Sequence, residues 1–347
     1  FERKELLIDK FIFFLMTPSQ LTAFLERLIS EELTISAMIW GPPGIGKSSI
    51  VSQAAKNKGY DFIDLRLSQL APTDLRGLPV AIHPKSKTEI GISKWYPPEF
   101  LPKAGKGILF LDEINMAPPA MQGVAQQLIL DRKIGNYRVP KDWLIWAAGN
   151  RKEDRASVFE MPTPLNNRFL HLDVEVNFSC FKSHALKNNL PEEIISFLGF
   201  RPALLHKVNF EEKAWPSPRS WEMASNLFKL NLPINTAIGD GAAEEFNSFL
   251  NVYKNLPNLS QIIKGNGEKI IFPKQVSRQW ATITGLTKRA TRPEEVKEVF
   301  QWLFKKTTPE WIQVFAADIV AKFKEKKQLT ALAKVVMKDT QMQEYLK

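Results

Sequence analysis

The first half of the chain alternates between two hydrophobic periods. Short apolar runs bounded by turn residues read as buried strands at 34–40 (TISAMIW), 61–67 (DFIDLRL), 107–113 (GILFLDE) and 143–150 (WLIWAAGN). The segment FLHLDVEV, 169–176, alternates apolar and polar residues as a strand does. Helical spacing fills the intervals. Residues 17–33 read as a helix, with Thr17 suited to the N-cap, Pro18 to the first position, and Leu21, Phe24, Leu25 and Leu28 on one face. Residues 46–58 and 118–132 read as further helices, the second opening on proline. Alternation around a polar centre predicts a hairpin at 80–92, and a second is expected at 134–140. Strands separated by helices predict an α/β fold, a parallel sheet covered by helices on both faces.

After Val176 the pattern changes. Residues 181–253 carry helical spacing broken by Pro191, Pro202, Pro216, Pro218 and Pro233. Residues 265–274 read as a linker or small hairpin. Residues 293–306 and 309–327 read as amphipathic helices, the latter with Trp311, Phe315 and Ile319 four apart. The expected organisation is a helical lead-in (1–33), an α/β domain (34–177), a helical domain (178–240) and a basic helical extension (241–347).

Composition narrows the class. With 347 residues, 44% of them hydrophobic, the chain can bury a sizeable core. The one cysteine, Cys180, leaves no internal disulfide and fits a reducing compartment. No apolar run approaches the ~20 residues of a membrane helix. The run FIFFLM (11–16) is too short for a signal-peptide core, and no small-residue cleavage site follows. A soluble cytoplasmic protein is therefore expected. The net charge of +10 is concentrated late, for residues 264–347 hold 17 Lys and Arg against 9 Asp and Glu. A solvated helical face, an acidic protein partner or a nucleic acid would each account for it.

The candidate chemistry begins in the loop after the first strand. Gly41, Pro42, Pro43, Gly44, Ile45, Gly46, Lys47, Ser48 and Ser49 fit the pattern G-x-x-x-x-G-K-[ST]. Its glycines let backbone N–H groups turn inward as an anion nest, and the following helix adds its positive end. Lys47 suits the β- and γ-phosphates, and Ser48 suits Mg²⁺. Asp112 and Glu113 end an apolar strand, so both carboxylates fall at the carboxyl edge of the sheet, where α/β ligands bind. Asp112 suits the metal, and Glu113 suits orienting and deprotonating an attacking water. Asn150 ends the next strand, where its amide could hold that water or simply form a turn. Arg168 precedes the last strand, and Arg219 opens a helix in the second half. Each could neutralise charge on a transferred phosphoryl group or form a surface ion pair.

In series, GPPGIGKS, LFLDEIN, AAGN, PLNNRF and SPR resemble the AAA+ ATPases, and within them the MoxR group, over about residues 34–230. The resemblance implies a P-loop AAA+ α/β sandwich, a helical lid domain and a helical C-terminal extension. It places Lys47 and Ser48 in the Walker A loop, Asp112 and Glu113 in Walker B, and Asn150 at sensor 1. Arg168 falls on the arginine finger, which acts on a neighbouring subunit's nucleotide, and Arg219 on sensor 2, which acts within the subunit. The two hairpins fall where MoxR proteins carry a helix-2 insert and a pre-sensor-1 hairpin. TDLRGLP (73–79) resembles the family's Asp-x-x-Gly segment. TPSQLTAFLERL stands where a Val-Gly-Gln box is usual, and Arg151 stands where the family often has proline. The implied function is ATP hydrolysis with Mg²⁺ in a ring, usually hexameric. Such rings remodel or assemble protein partners, with a von Willebrand factor A domain protein as the characteristic associate. A nucleic-acid-dependent AAA+ motor is the alternative.

Overall fold

Strand parity decides where the core lies. In the computed structural model, which describes residues 15–82, 92–151, 154, 158–209, 211–253, 256–325 and 327–346, the chain divides into two compact units, 1–176 and 177–347. The first is built on β1 (Ala37–Trp40), β2 (Asp61–Arg66), β5 (Gly107–Asp112), β8 (Trp143–Gly149) and β9 (Leu170–Asp173). They form one parallel sheet in the order β2-β5-β8-β1-β9. Alternate residues serve opposite cores. Ile108 and Phe110 of β5, with Leu144, Trp146 and Ala148 of β8, pack against α1 (Pro18–Ser30) and α2 (Lys47–Asn57). Leu109 and Leu111, with Ile145 and Ala147, pack under α4 (Pro119–Asp131). A strand buried on both faces must be apolar at every position, which is why these segments read as continuous runs. The α/β class expected from the pattern is present.

Local chemistry sets the ends. Thr17 and Gln20 form a capping box on α1: the Gln20 N–H donates to Thr17 Oγ1 (3.3 Å) and the Thr17 N–H to Gln20 Oε1 (2.9 Å). Strand β1 begins at Ala37, three residues later than its sequence suggests. After the short helix α3 (Pro72–Arg76), the larger hairpin has arms at β3 (Leu78–Ile82) and β4 (Ile92–Tyr96), pairing Leu78 with Tyr96 and Ile82 with Ile92. Residues 83–91, the middle of the expected 80–92 hairpin, lie outside the described residues, as do residues 1–14. The smaller hairpin pairs β6 (Lys133–Ile134) with β7 (Tyr137–Arg138). A short helix α5 (Thr163–Asn166) leads into β9.

The second unit is helical: α6 (Phe178–Lys187), α7 (Glu192–Phe200), α8 (Pro218–Lys229), α9 (Asn235–Ile238), α10 (Asp240–Tyr253), α11 (Leu259–Ile263), α12 (Val276–Arg289), α13 (Pro293–Lys306), α14 (Pro309–Glu325), α15 (Leu329–Val336) and α16 (Thr340–Leu346). Phe197 lies at its aromatic centre, 5.7 Å from Trp221 and 5.4 Å from Phe246 between ring centroids. Residues 265–274 connect α11 to α12 without forming a strand, so the linker form of that expectation is the one adopted. Part of the basic surplus is structural. Lys322 donates to the carbonyls of Thr287, Lys288 and Ala290, closing the C-terminal end of α12. Lys288 donates to Leu190 O at 2.5 Å. Lys182 pairs with Asp318 (2.5 Å) beneath the Trp280 ring. Burial pushes the Asp318 carboxyl up, and the Lys182 ammonium opposes that shift.

Candidate active site

The carboxyl ends of β1, β5 and β8 bring five of the expected residues together. Gly44 and Gly46 have φ of +81° and +92°, which L side chains rarely adopt, and Gly46 opens α2. Gly41 is required for a different reason. A Cβ there would stand 2.8 Å from Val174 O and 2.7 Å from Ile45 Cδ1, so the loop can hug the sheet only without one. No side chain caps the first turn of α2, leaving its N–H groups to face the loop.

Lys47 is buried, and its ammonium donates to Gly41 O (2.7 Å), Pro42 O (3.1 Å) and Asn150 Oδ1 (2.8 Å). The last bond ties the loop to the end of β8, 103 residues away. Ser48 Oγ donates to Asp112 Oδ2 at 2.6 Å, tying α2 to the end of β5. One hydroxyl and one carboxylate are a hard-oxygen pair, suited to a Mg²⁺ that keeps several waters and phosphate oxygens as its other ligands. Among the described residues, no group of three or more His, Cys, Asp or Glu gathers to hold a metal by itself.

Glu113 stands at φ +57°, a left-handed conformation that costs a non-glycine residue about 1–3 kcal/mol. Its N–H donates to Asp112 Oδ1 (2.9 Å), and its carboxylate accepts from the Ser68 hydroxyl. Asp64 of β2 is close enough to feel both acids. Its carboxyl is raised by desolvation and then by the Asp112 charge, with Arg66 opposing and Glu113 adding a smaller push. The edge is therefore electronegative, and a cation there would relieve like-charge repulsion.

Two contributors escaped the sequence reading. Ser68 follows β2 and reaches Glu113 only because β2 pairs with β5, Arg66 opposite Asp112. Asn115 clamps the backbone of Asn150. Its Nδ2 donates to Asn150 O (2.7 Å), and its Oδ1 accepts from Asn150 N (3.2 Å). Asn115 lies inside the LFLDEIN stretch, but its role needs the β5–β8 contact to become visible. Gly149 allows that clamp, since a Cβ there would fall 2.5 Å from Asn115 Oδ1 and 2.7 Å from Met38 Cε. Gly149→Ala is expected to destabilise the unit by about 1–3 kcal/mol, read by chemical denaturation.

Arg168 is exposed, in the turn between α5 and β9 of the first unit. Arg219 is exposed in the first turn of α8, in the second unit. Arg151 donates through Nη2 to Val174 O (3.0 Å), bracing the segment that Gly41 approaches.

Residues 37–171 match the family described as "ATPase family associated with various cellular activities (AAA)". No curated protein matches the chain. Among solved structures, NtrX from Brucella abortus in complex with ADP is 14% identical, covering 95% of this chain and 72% of that one, with a TM-score of 0.41. A point mutant of Thermotoga maritima RuvB is 15% identical, covering 89% of this chain and 93% of that one, with a TM-score of 0.38. Among the described residues no helix is long and apolar enough to cross a membrane. The stretch that carries the glycine loop, both acids and Asn150 matches the AAA ATPase family and has the P-loop AAA+ α/β fold.

Proposed function

We propose that the chain is an ATP-hydrolysing, MoxR-type AAA+ motor that works as a ring, in the hexameric form usual for the family, and remodels or assembles protein partners. The observation that carries the catalytic part is the pair of hydrogen bonds Lys47–Asn150 and Ser48–Asp112, which fasten the glycine loop to the ends of two strands. In this reading, backbone N–H groups of Gly44 to Ser48 grip the triphosphate. The Lys47 ammonium exchanges a carbonyl partner for phosphate oxygen. Ser48 and Asp112 would hold Mg²⁺, which would supply positive charge to neutralise that developing on the phosphates. Glu113 accepts the proton of the attacking water, and Asn150 orients that water. Arg168 serves the nucleotide of a neighbouring subunit, and Arg219 its own. Residues 178–240 act as the lid and 241–347 as the extension. The MoxR assignment rests on motif order and on two hairpins at the expected places, and it names a von Willebrand factor A domain protein as the associate.

The nucleic-acid-dependent alternative rests on the basic C-terminal quarter. Its weight is reduced because Lys288 and Lys322 hold backbone carbonyls while Arg289 pairs with Glu192. One experiment separates the readings. The purified chain is assayed for Mg²⁺-dependent ATP turnover with and without DNA, and proteins retained by the Glu113→Gln variant with ATP are identified. Turnover indifferent to DNA, with a protein retained, supports the remodeller. Turnover raised steeply by DNA and lost with added salt overturns it in favour of the alternative. No turnover under any condition removes both.

A further inference from the structure

We propose that His171 is a positioning residue for Arg168, an inference that rests on the trans role given to Arg168 above. Arg168 occupies the third position of the turn Asn166–Phe169, closed by the Phe169 N–H on the Asn166 carbonyl at 3.3 Å. That carbonyl also faces Nε2 of His171, at 2.9 Å. On the other side of the ring, Nδ1 of His171 lies 2.8 Å from Nε1 of Trp40. An indole N–H only donates, and a carbonyl only accepts. The imidazole must therefore accept at Nδ1 and donate at Nε2, which only its neutral form with the proton on Nε2 can do.

Trp40 is the last residue of β1, just before Gly41, and its carbonyl accepts from Val174 N at 2.8 Å. The register that pairs Met38 with His171 and Trp40 with Asp173 fixes both residues in the parallel sheet. The Trp40 and His171 rings lie nearly coplanar, with 6.1 Å between centroids and 10° between planes, as their in-plane hydrogen bond requires, and Phe169 meets the imidazole edge-on at 6.3 Å. The turn itself continues from α5, with the Asn167 N–H donating to Thr163 O and the Arg168 N–H to Leu165 O, both at 3.1 Å. His171 thus ties the turn that carries Arg168 to the end of β1. It fixes the backbone from which an exposed arginine must meet a phosphate on another subunit. A misplacement of about 1 Å at such a contact can cost ~10²-fold in rate.

The test uses full-length chains. His171→Ala is expected to lower kcat by ~10-fold or more, with KM for ATP and thermal stability unchanged. His171→Gln, which keeps both an acceptor and a donor, should recover most of the rate. Mixed rings then locate the defect. His171→Ala subunits keep their own glycine loop, and Lys47→Ala subunits keep a supported Arg168. Mixing the two should create sites that turn over faster than either variant alone. The control mixes Arg168→Ala with Lys47→Ala. If the control recovers and the His171→Ala mixture does not, His171 does not act through Arg168 and the proposal is overturned alone. If neither recovers, the trans reading of Arg168 falls and takes this inference with it. A kcat left unchanged by His171→Ala overturns the proposal directly.

Discussion

Replacing Glu113 with glutamine is expected to lower kcat by ~10²- to 10⁴-fold while leaving ATP affinity nearly intact. The size follows from the role assigned to the carboxylate. A positioned general base contributes that range, equivalent to about 3–5 kcal/mol of barrier. Glutamine keeps the shape and can still accept from Ser68, so the turn after β5 should hold. Loss of one negative charge beside Asp112 and Asp64 should do no harm to folding. Glu113 is among the charges that raise the Asp64 carboxyl, so its removal lets Asp64 ionise more easily. The raised folded pKa makes ionised Asp64 a cost at neutral pH, and relief of it stabilises there. Single-turnover kinetics with ATP, equilibrium binding and chemical denaturation measure the three effects separately. Unchanged turnover would remove Glu113 from the chemistry. Lost binding would mean that its carboxylate serves to hold metal or nucleotide.

The glycine loop and both acids were legible because their determinants are local. A contiguous Gly-Pro-Lys-Ser run and an apolar strand ending in two carboxylates specify geometry within a few residues. The doubly buried strands were legible for the same reason, since neighbouring positions must all be apolar when alternate ones feed opposite cores. What stayed hidden depends on pairing between distant elements. Ser68 and Glu113 are 45 residues apart, and Trp40 and His171 are 131 apart. No spacing rule joins such residues until the strand order places β2 beside β5 and β1 beside β9. Helix α12 was obscured in another way. Thr282, Ile283, Thr284, Gly285 and Thr287 weaken a helical pattern, yet all five are buried against neighbouring helices, and packing overrides propensity there. The hairpin arms, 78–82 and 92–96, extend beyond the limits read at 80–92. Leu78, Val80 and Tyr96 are exposed, so no burial enforces the alternation that would have marked where the strands begin and end.

Arg168→Ala should cost more than any other exposed substitution in the chain. An arginine supplied to a phosphoryl-transfer site from a neighbouring subunit is worth ~10³- to 10⁵-fold in kcat, and a loss near the lower end is expected here. Because Arg168 is exposed, folding stability should change by no more than about 0.5 kcal/mol. Nucleotide affinity should also persist, because in the proposed ring the glycine loop, Lys47 and Ser48 would belong to the other subunit of each site. Lysine should not rescue the rate, for a point charge lacks the planar fork that meets two phosphate oxygens. The decisive measurement is specific activity against protein concentration. Wild-type turnover per subunit should rise as subunits associate, then level off. The Arg168→Ala variant should stay near its floor at every concentration while sedimenting as the same assembly. Wild-type activity independent of concentration down to the monomer would show that no neighbour is needed. A variant that retains turnover within the intact assembly would show that some other group neutralises the transferred phosphoryl charge. Either result would return Arg168 to the role of an ordinary surface cation.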